Sequence, residues 1–252
     1  MTVSRHFHID QRLENLLPVS LDGSRFVRVL RKKVGDTIVV CDRDGRLFEI
    51  ALTSTDPCEG IVQAQLPDPG ADALDDVVVW LPLLKGGRTD DLVRQLTELG
   101  VTEIIPFQSQ HSVVRLDGKK AKERQARFQA IATEAANQCG RLRVPRLAGL
   151  ENRAPDERPG GAVECPGVFF WEVEGRAVDE LRTLVGQAGP SPTPRRRVSI
   201  LFGPEGGIAD DEAARLIAAG WTAFSLGPRI LRAETAVVVG TALVQAALGA
   251  LV

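Results

Sequence analysis

Two short segments near the C-terminus hold the residues whose types and spacing could do chemistry. In Leu201-Phe-Gly-Pro-Glu-Gly-Gly-Ile208, three glycines fall within five positions. Glycines let a backbone bend sharply and approach a ligand closely. Pro204 stiffens the turn, and Glu205 is its one charge. The spacing is neither G-x-G-x-x-G nor the phosphate-loop pattern, so a dinucleotide fold or P-loop is not supported. In Leu226-Gly-Pro-Arg-Ile-Leu-Arg-Ala-Glu-Thr-Ala236, the charges Arg229, Arg232 and Glu234 crowd against an apolar run. Charges beside a buried helix need partners, so their placement asks for a purpose. Two glycine-marked loops at adjacent strand ends can close one pocket, as ligand sites in open α/β sheets do.

The elements that must hold these loops follow from patterning. Val77–Leu83 is a continuous apolar run, as expected of a strand buried on both faces. Strands are also predicted at Thr102–Phe107, Val168–Trp171, Val198–Phe202 and Trp221–Leu226. Helical spacing marks Asp90–Leu99, Lys119–Cys139, Val178–Val185, Asp210–Ala219 and the apolar Ala236–Val252. Strand alternating with helix gives an α/β domain with a mostly parallel sheet. Ahead of it, Ser24 caps a predicted helix over 24–33. Thr37–Cys41, the turn Asp42-Arg-Asp-Gly45 and Leu47–Leu52 then read as a hairpin, with short strands to Leu66. The Pro- and acid-rich stretch 67–76 is the linker. The expected division is a small β-rich domain at 1–70 and an α/β domain at 77–252.

Composition narrows the function. The 252 residues carry 31 basic and 33 acidic side chains, a net charge of −2, which excludes a histone-like binder. With 9 Phe, 3 Trp and no Tyr, a single-strand binder built on stacked rings is disfavoured. The cysteines Cys41, Cys58, Cys139 and Cys165 are 17, 81 and 26 residues apart and form no C-x-x-C pair. His6 and His8 alternate along a strand, but no zinc spacing accompanies them, and no metal is expected. The start lacks a signal-peptide core, so a reduced, cytoplasmic setting is expected. Ala236–Val252 is 17 residues long and reads as a buried terminal helix, covered by its own domain or a second subunit.

Together, GPEGGIADDE and LGPRILRAETA resemble the SPOUT class of RNA methyltransferases. More narrowly, the chain resembles the ribosomal RNA small subunit methyltransferase E family, which methylates uridine N3 in bacterial 16S rRNA. Arg25–Asp36, Lys85-Gly-Gly-Arg-Thr-Asp, Thr97-Glu-Leu-Gly100, Ile105–Ser109, Gln138-Cys-Gly-Arg141 and Val144-Pro145 extend the likeness over nearly the whole chain. The resemblance implies a PUA-like β-barrel followed by a SPOUT domain with a C-terminal trefoil knot. It also implies a homodimer, S-adenosyl-L-methionine as cofactor, and the small ribosomal subunit as partner, with uridine 1498 as target. The implied cofactor residues are Leu201, Gly203, Pro204, Glu205, Gly206, Gly207, Leu226, Gly227, Ile230, Leu231, Arg232 and Thr235. Another RNA target, such as a ribose 2′-hydroxyl, and a non-catalytic RNA-binding protein stand as alternatives. Three positions depart from the family pattern: His111, often Arg; Asn137, commonly acidic; and Ala209, usually Ser. None is expected to touch the cofactor loops. Loss of that Ser removes a capping box with Glu212, leaving Asp210 as the expected cap.

Uridine N3 carries a proton, so the reaction needs a base or a stabiliser of the developing anion. Arg232 is the candidate stabiliser, and Glu234 and Glu205 the candidate proton acceptors or anchors. An ion pair of Glu234 with Arg229 or Arg232 is the competing structural reading. Candidate RNA contacts are Arg25, Arg28, Arg31, Lys32 and Arg141. A further basic run spans 115–127, and Arg195-Arg196-Arg197 reads as a solvated loop.

Overall fold

The computed structural model describes residues 6–14, 17–21, 31–68, 75–151, 155, 166–186 and 197–251. The predicted helix over 24–33, including Arg25 and Arg28, lies outside these residues except for its last three positions. The chain forms two compact units, Met1–Ala73 with Thr133–Val144, and Leu74–Ala132 with Pro145–Val252. The expected boundary assigned 133–144 to the second domain, whereas these residues cluster with the first unit.

In the first unit, strands β1 (Phe7–His8), β2 (Pro18–Ser20), β3 (Thr37–Cys41), β4 (Leu47–Thr55) and β5 (Cys58–Leu66) form one sheet. Its order is β1-β3-β4-β5-β2, antiparallel apart from the β1–β3 pair. Alternating apolar residues Ile38, Val40, Phe48, Ile50, Leu52 and Val62 supply its core. The β3–β4 turn is built on Asp42. One carboxylate oxygen accepts from the N–H groups of Asp44 and Arg46, at 3.0 and 2.9 Å. The other accepts from Leu13 N–H at 3.3 Å and from the Arg46 guanidinium at 2.6 and 3.0 Å. Burial alone would raise the Asp42 pKa, but the hydrogen bonds from Arg46, Leu13 and Asp44 outweigh it and hold it below 3.8.

The second unit contains a six-stranded sheet. Its strands are β6 (Asp76–Pro82), β7 (Glu103–Phe107), β8 (Arg146–Leu147), β9 (Gly167–Phe170), β10 (Arg197–Phe202) and β11 (Thr222–Phe224). The order β11-β9-β10-β6-β7-β8 is parallel throughout. Buried runs such as Val77–Leu81 and Glu103–Phe107 account for this, because both faces are covered. The helices are α1 (Arg88–Glu98), α2 (Gly118–Cys139, whose last turns belong to the first unit), α3 (Leu181–Gly186), α4 (Asp210–Ala218) and α5 (Ala233–Leu248). A 3₁₀ turn over Val178–Glu180 opens the predicted third helix.

Helix α5 begins three residues earlier than the apolar run suggested, with Arg232 as its N-cap. This places Arg232 and Glu234 at a helix start rather than in a preceding loop. Gly240 and Gln245, which interrupt the run, also find structural reasons. A Cβ on Gly240 would stand 2.7 Å from both Phe170 and Phe202, two rings stacked 5.3 Å apart at the strand ends. Gln245 donates to the Leu99 carbonyl at 2.7 Å, satisfying an open group at the end of α1. Among the described residues, no helix is long and apolar enough to cross a membrane.

Candidate functional site

The carboxyl ends of β9, β10 and β11 open into a cavity of about 430 Å³ in the second unit. This lies within the range of small-molecule sites, roughly 300–1,000 Å³. The topology explains its location: β10 lies between β9 and β6, and the chain then passes β9 to add β11 at the edge. Loops leaving neighbouring strand ends in different directions create a crevice there.

Both glycine-marked segments meet in this cavity. Gly203, Pro204, Glu205 and Gly207 line one side, and Leu226, Gly227, Ile230, Leu231, Arg232 and Glu234 the other. Three residues of the expected set lie elsewhere. Leu201 is buried inside β10 at 1% exposure, Gly206 turns toward His111, and Thr235 faces outward on α5. Arg88, Phe170, Trp171, Glu172, Ser225 and Arg229 also line it. Of these, Arg88 had a signal in the sequence: it follows Gly86-Gly87 after β6, a third glycine-marked strand end.

The first loop is fixed from several sides. A Cβ on Gly203 would meet Ile208 at 2.9 Å and the Gly207–Ile208 backbone at 3.0 Å, so the chain has no room for a side chain here. Gly207 N–H donates to the Pro204 carbonyl at 2.9 Å, and Lys85 N–H donates to Glu205 Oε1 at 3.1 Å. Trp171 Nε1–H reaches the Ile208 carbonyl at 3.3 Å. His111 Nδ1 donates to the Gly206 carbonyl at 2.9 Å. That contact corrects the expectation that no departure from the family pattern touches the cofactor loops: His111 does.

The cap of α4 also differs from expectation. Ala209, not Asp210, is the N-cap, and Glu212 folds back to accept from Ala209 N–H at 3.4 Å. The same carboxylate, 4% exposed, accepts from Gln110 N–H at 3.0 Å. Half of the capping box thus survives without the hydroxyl, because Glu212 needs only a backbone donor.

The second loop is open. Ile230 is 87% exposed, and neither Arg229 nor Arg232 has an ion-pair partner among the described residues. Glu234 pairs with Arg88 at 3.7 Å rather than with Arg229 or Arg232. Its Oε2 has no hydrogen-bond partner among the described residues. A carboxylate, a guanidinium without an ion pair and a close backbone turn therefore share one partly apolar cavity. Such a set can bind a small ligand and offer both charge signs to a second reactant.

The other basic candidates fare differently. Arg31 and Lys32 are at the surface or half-buried, with Arg31 at a φ of 52°. Arg141 is 7% exposed, and its burial argues against the expected phosphate contact. In the 115–127 run, Arg124 and Arg127 are committed to Asp90, at 3.8 and 2.5 Å. Arg197, from the run read as solvated, pairs with Glu103 at 3.1 Å.

Comparison with known proteins decides the family. Residues 72–245 match the model of the RNA methyltransferase domain. Ribosomal RNA small subunit methyltransferase E of Bacillus subtilis is 31% identical, covering 90% of this chain and 89% of that protein. The chain belongs to the ribosomal RNA small subunit methyltransferase E family. A Mycobacterium bovis member of the same family is 30% identical over 86% of this chain and 81% of its own length. The crystal structure of the Neisseria gonorrhoeae methyltransferase E bound to S-adenosyl methionine superposes with a TM-score of 0.79. It is 25% identical and covers 96% of this chain and 97% of that one. The matched span runs from four residues before β6 into the last turns of α5, so it contains both loops and Arg88.

Proposed function

We propose that this member of the methyltransferase E family transfers a methyl group from S-adenosyl-L-methionine to N3 of a uridine in 16S rRNA, at position 1498. The observation that carries this reading is the single cavity lined by both glycine loops, with Arg232 and Glu234 on its wall. The residues fit the cofactor: the crowded Gly203 turn provides backbone without side chain, and Leu226, Ile230 and Leu231 offer apolar surface. Bound there, the cofactor would supply an electrophilic methyl group.

The protein's own residues then have defined tasks. Holding nucleophile and methyl group in line can contribute about 7–11 kcal/mol. Arg232 orients the uracil and stabilises the negative charge that develops on it. Glu234 is the better-placed proton acceptor, since Glu205 already accepts from Lys85 N–H. Arg88 keeps Glu234 in the cavity. Because N3 lies on the pairing edge, the target base must be unpaired or turned out of its stack.

The same proposal includes further features. The largely antiparallel first unit serves as a PUA-like RNA-binding module, with Arg25, Arg28, Arg31 and Lys32 toward phosphate. The return of α5 across β10 and β6, after the chain has passed β9, supports a trefoil-knotted arrangement. Exposed Ile230 and Val239 support a homodimer that covers them, working in the cytoplasm.

The test is methylation of small subunits from a strain lacking this gene, followed by mass analysis of the nucleosides. 3-Methyluridine is the expected product, and 2′-O-methyluridine would refute the assignment. Gly203→Val should distort the crowded 203–208 turn and thereby weaken cofactor binding. Unchanged calorimetric affinity would remove this loop from the cofactor site.

A further inference from the structure

Strand β1 pairs in parallel with β3, and the register sets His8 opposite Cys41. His6 stands two residues earlier, on the same side of the alternating chain. One ligand-type atom from each of His6, His8 and Cys41 lies within 4.8 Å of the others. His6 is 2% exposed and Cys41 fully buried. Sequence spacing did not reveal this group, because its third member is 33 positions from His8 and arrives only through strand pairing.

The hydrogen bonds around His8 point to a cation. Asn137 Oδ1 accepts from His8 backbone N–H at 2.9 Å, which fixes that atom as the amide oxygen. It also lies 2.7 Å from His8 Nδ1, so Nδ1 must carry the ring proton. The neutral ring then presents the lone pair of Nε2 to the Leu142 carbonyl oxygen, 3.2 Å away. Two acceptors facing each other repel. A proton or a metal cation at Nε2 resolves the contact. The Cys41 thiol converges on the same carbonyl oxygen at 3.1 Å, and His6 completes the group, donating from Nε2 to the Arg141 carbonyl at 2.8 Å.

We propose that His6, His8 and Cys41 form a binding site for a zinc-class divalent cation, with the Leu142 carbonyl as neighbouring oxygen donor. Two imidazoles and one thiolate are a donor set that suits zinc. Donors at zinc bond lengths stand roughly 3–4 Å apart, so the present spacing needs only a modest contraction. Asn137 acts as the outer partner that fixes the His8 tautomer. Binding replaces the Cys41 S–H bond with a sulfur–metal bond and releases one proton to solvent. The cation would tie β1 to β3 and to the 141–142 segment.

The test uses the full-length protein, stripped with a chelator and titrated with Co²⁺ and, separately, Zn²⁺. One equivalent should bind, with a thiolate-to-cobalt charge-transfer band and retention of zinc through gel filtration. Cys41→Ser should lose the band, and Asn137→Leu should weaken binding about 10–100-fold. His8→Gln, at a half-buried position, should weaken it at least tenfold while the metal-free variant keeps the wild-type circular dichroism. Zinc should raise the Tm of the wild type but not of His8→Gln. Absence of the charge-transfer band in folded wild type would overturn the proposal, as would equal affinity in wild type and His8→Gln. Either result would remove the metal from this group.

Discussion

At the β3–β4 turn, Asp42 is 1% exposed, and its two oxygens receive hydrogen bonds from Leu13, Asp44 and Arg46. At the start of α5, Arg229 and Arg232 are exposed without an ion pair among the described residues, and Glu234 has only a 3.7 Å contact with Arg88. Both regions place charges against apolar structure. The first satisfies them internally, which makes it a device for holding a turn. The second leaves Arg229 and Arg232 uncommitted beside a cavity, where the proposed function makes use of them. Satisfied charge here goes with a held turn, and uncommitted charge with the proposed site.

Arg232→Ala gives the largest effect expected from this contrast. Turnover should fall more than a hundredfold, about 3 kcal/mol in the transition state, with cofactor affinity and Tm nearly unchanged. A fall in Tm comparable with that of an Asp42 variant would place Arg232 with the structural charges and break the contrast.

Asp42→Asn should do the opposite, lowering unfolding free energy by about 2–3 kcal/mol at neutral pH while the folded fraction keeps its turnover. The folded pKa lies below the ordinary 3.8, so the carboxylate's contribution is complete above that value. It is lost as pH falls through the depressed folded value. Denaturant midpoints should thus show a constant gap between wild type and variant from pH 5 to 8 and a closing gap in strong acid. A gap that instead widens in acid would contradict the assignment.

Smaller effects sharpen the comparison. Arg88→Ala should change stability by less than about 1 kcal/mol, because the pair it breaks is partly exposed. Its turnover should nonetheless drop about tenfold as Glu234 loses its anchor; unchanged turnover would make the pair incidental. Lys32→Ala should alter stability by under about 0.5 kcal/mol. It should lower the log–log salt slope of RNA binding by about 0.7–0.9, and an unaltered slope would remove Lys32 from the RNA surface.

Five strands of the parallel sheet were legible as apolar runs, and both loops stood out by glycine spacing; the two-residue β8 (Arg146–Leu147) has no such run and was not expected. Helix ends were less so: Asp210 looked like the cap of α4, but Glu212 serves Ala209 N–H without a hydroxyl partner. Glu234 could not be paired from sequence, because Arg88 reaches it from a loop after a different strand. The His111 contact with Gly206 was hidden for the same reason, since 95 positions separate them. Assignment of 133–144 to the first unit goes with contacts such as that of Leu142 with Cys41 and Leu47, which its irregular spacing does not announce. Periodicity reveals which face is buried, not what buries it.

Of the three tryptophans, Trp80 and Trp221 are buried at 9% and 3% exposure within the core, whereas Trp171 lines the cavity beside the first loop. No tyrosine adds to the emission. The intrinsic fluorescence of this chain is therefore a spectrum in which one indole looks into the cavity and two form a constant background. Titration with ligand can be followed optically in the unlabelled protein. Trp171→Phe should abolish the signal change, giving a direct readout of occupancy with no radiolabel and no RNA present.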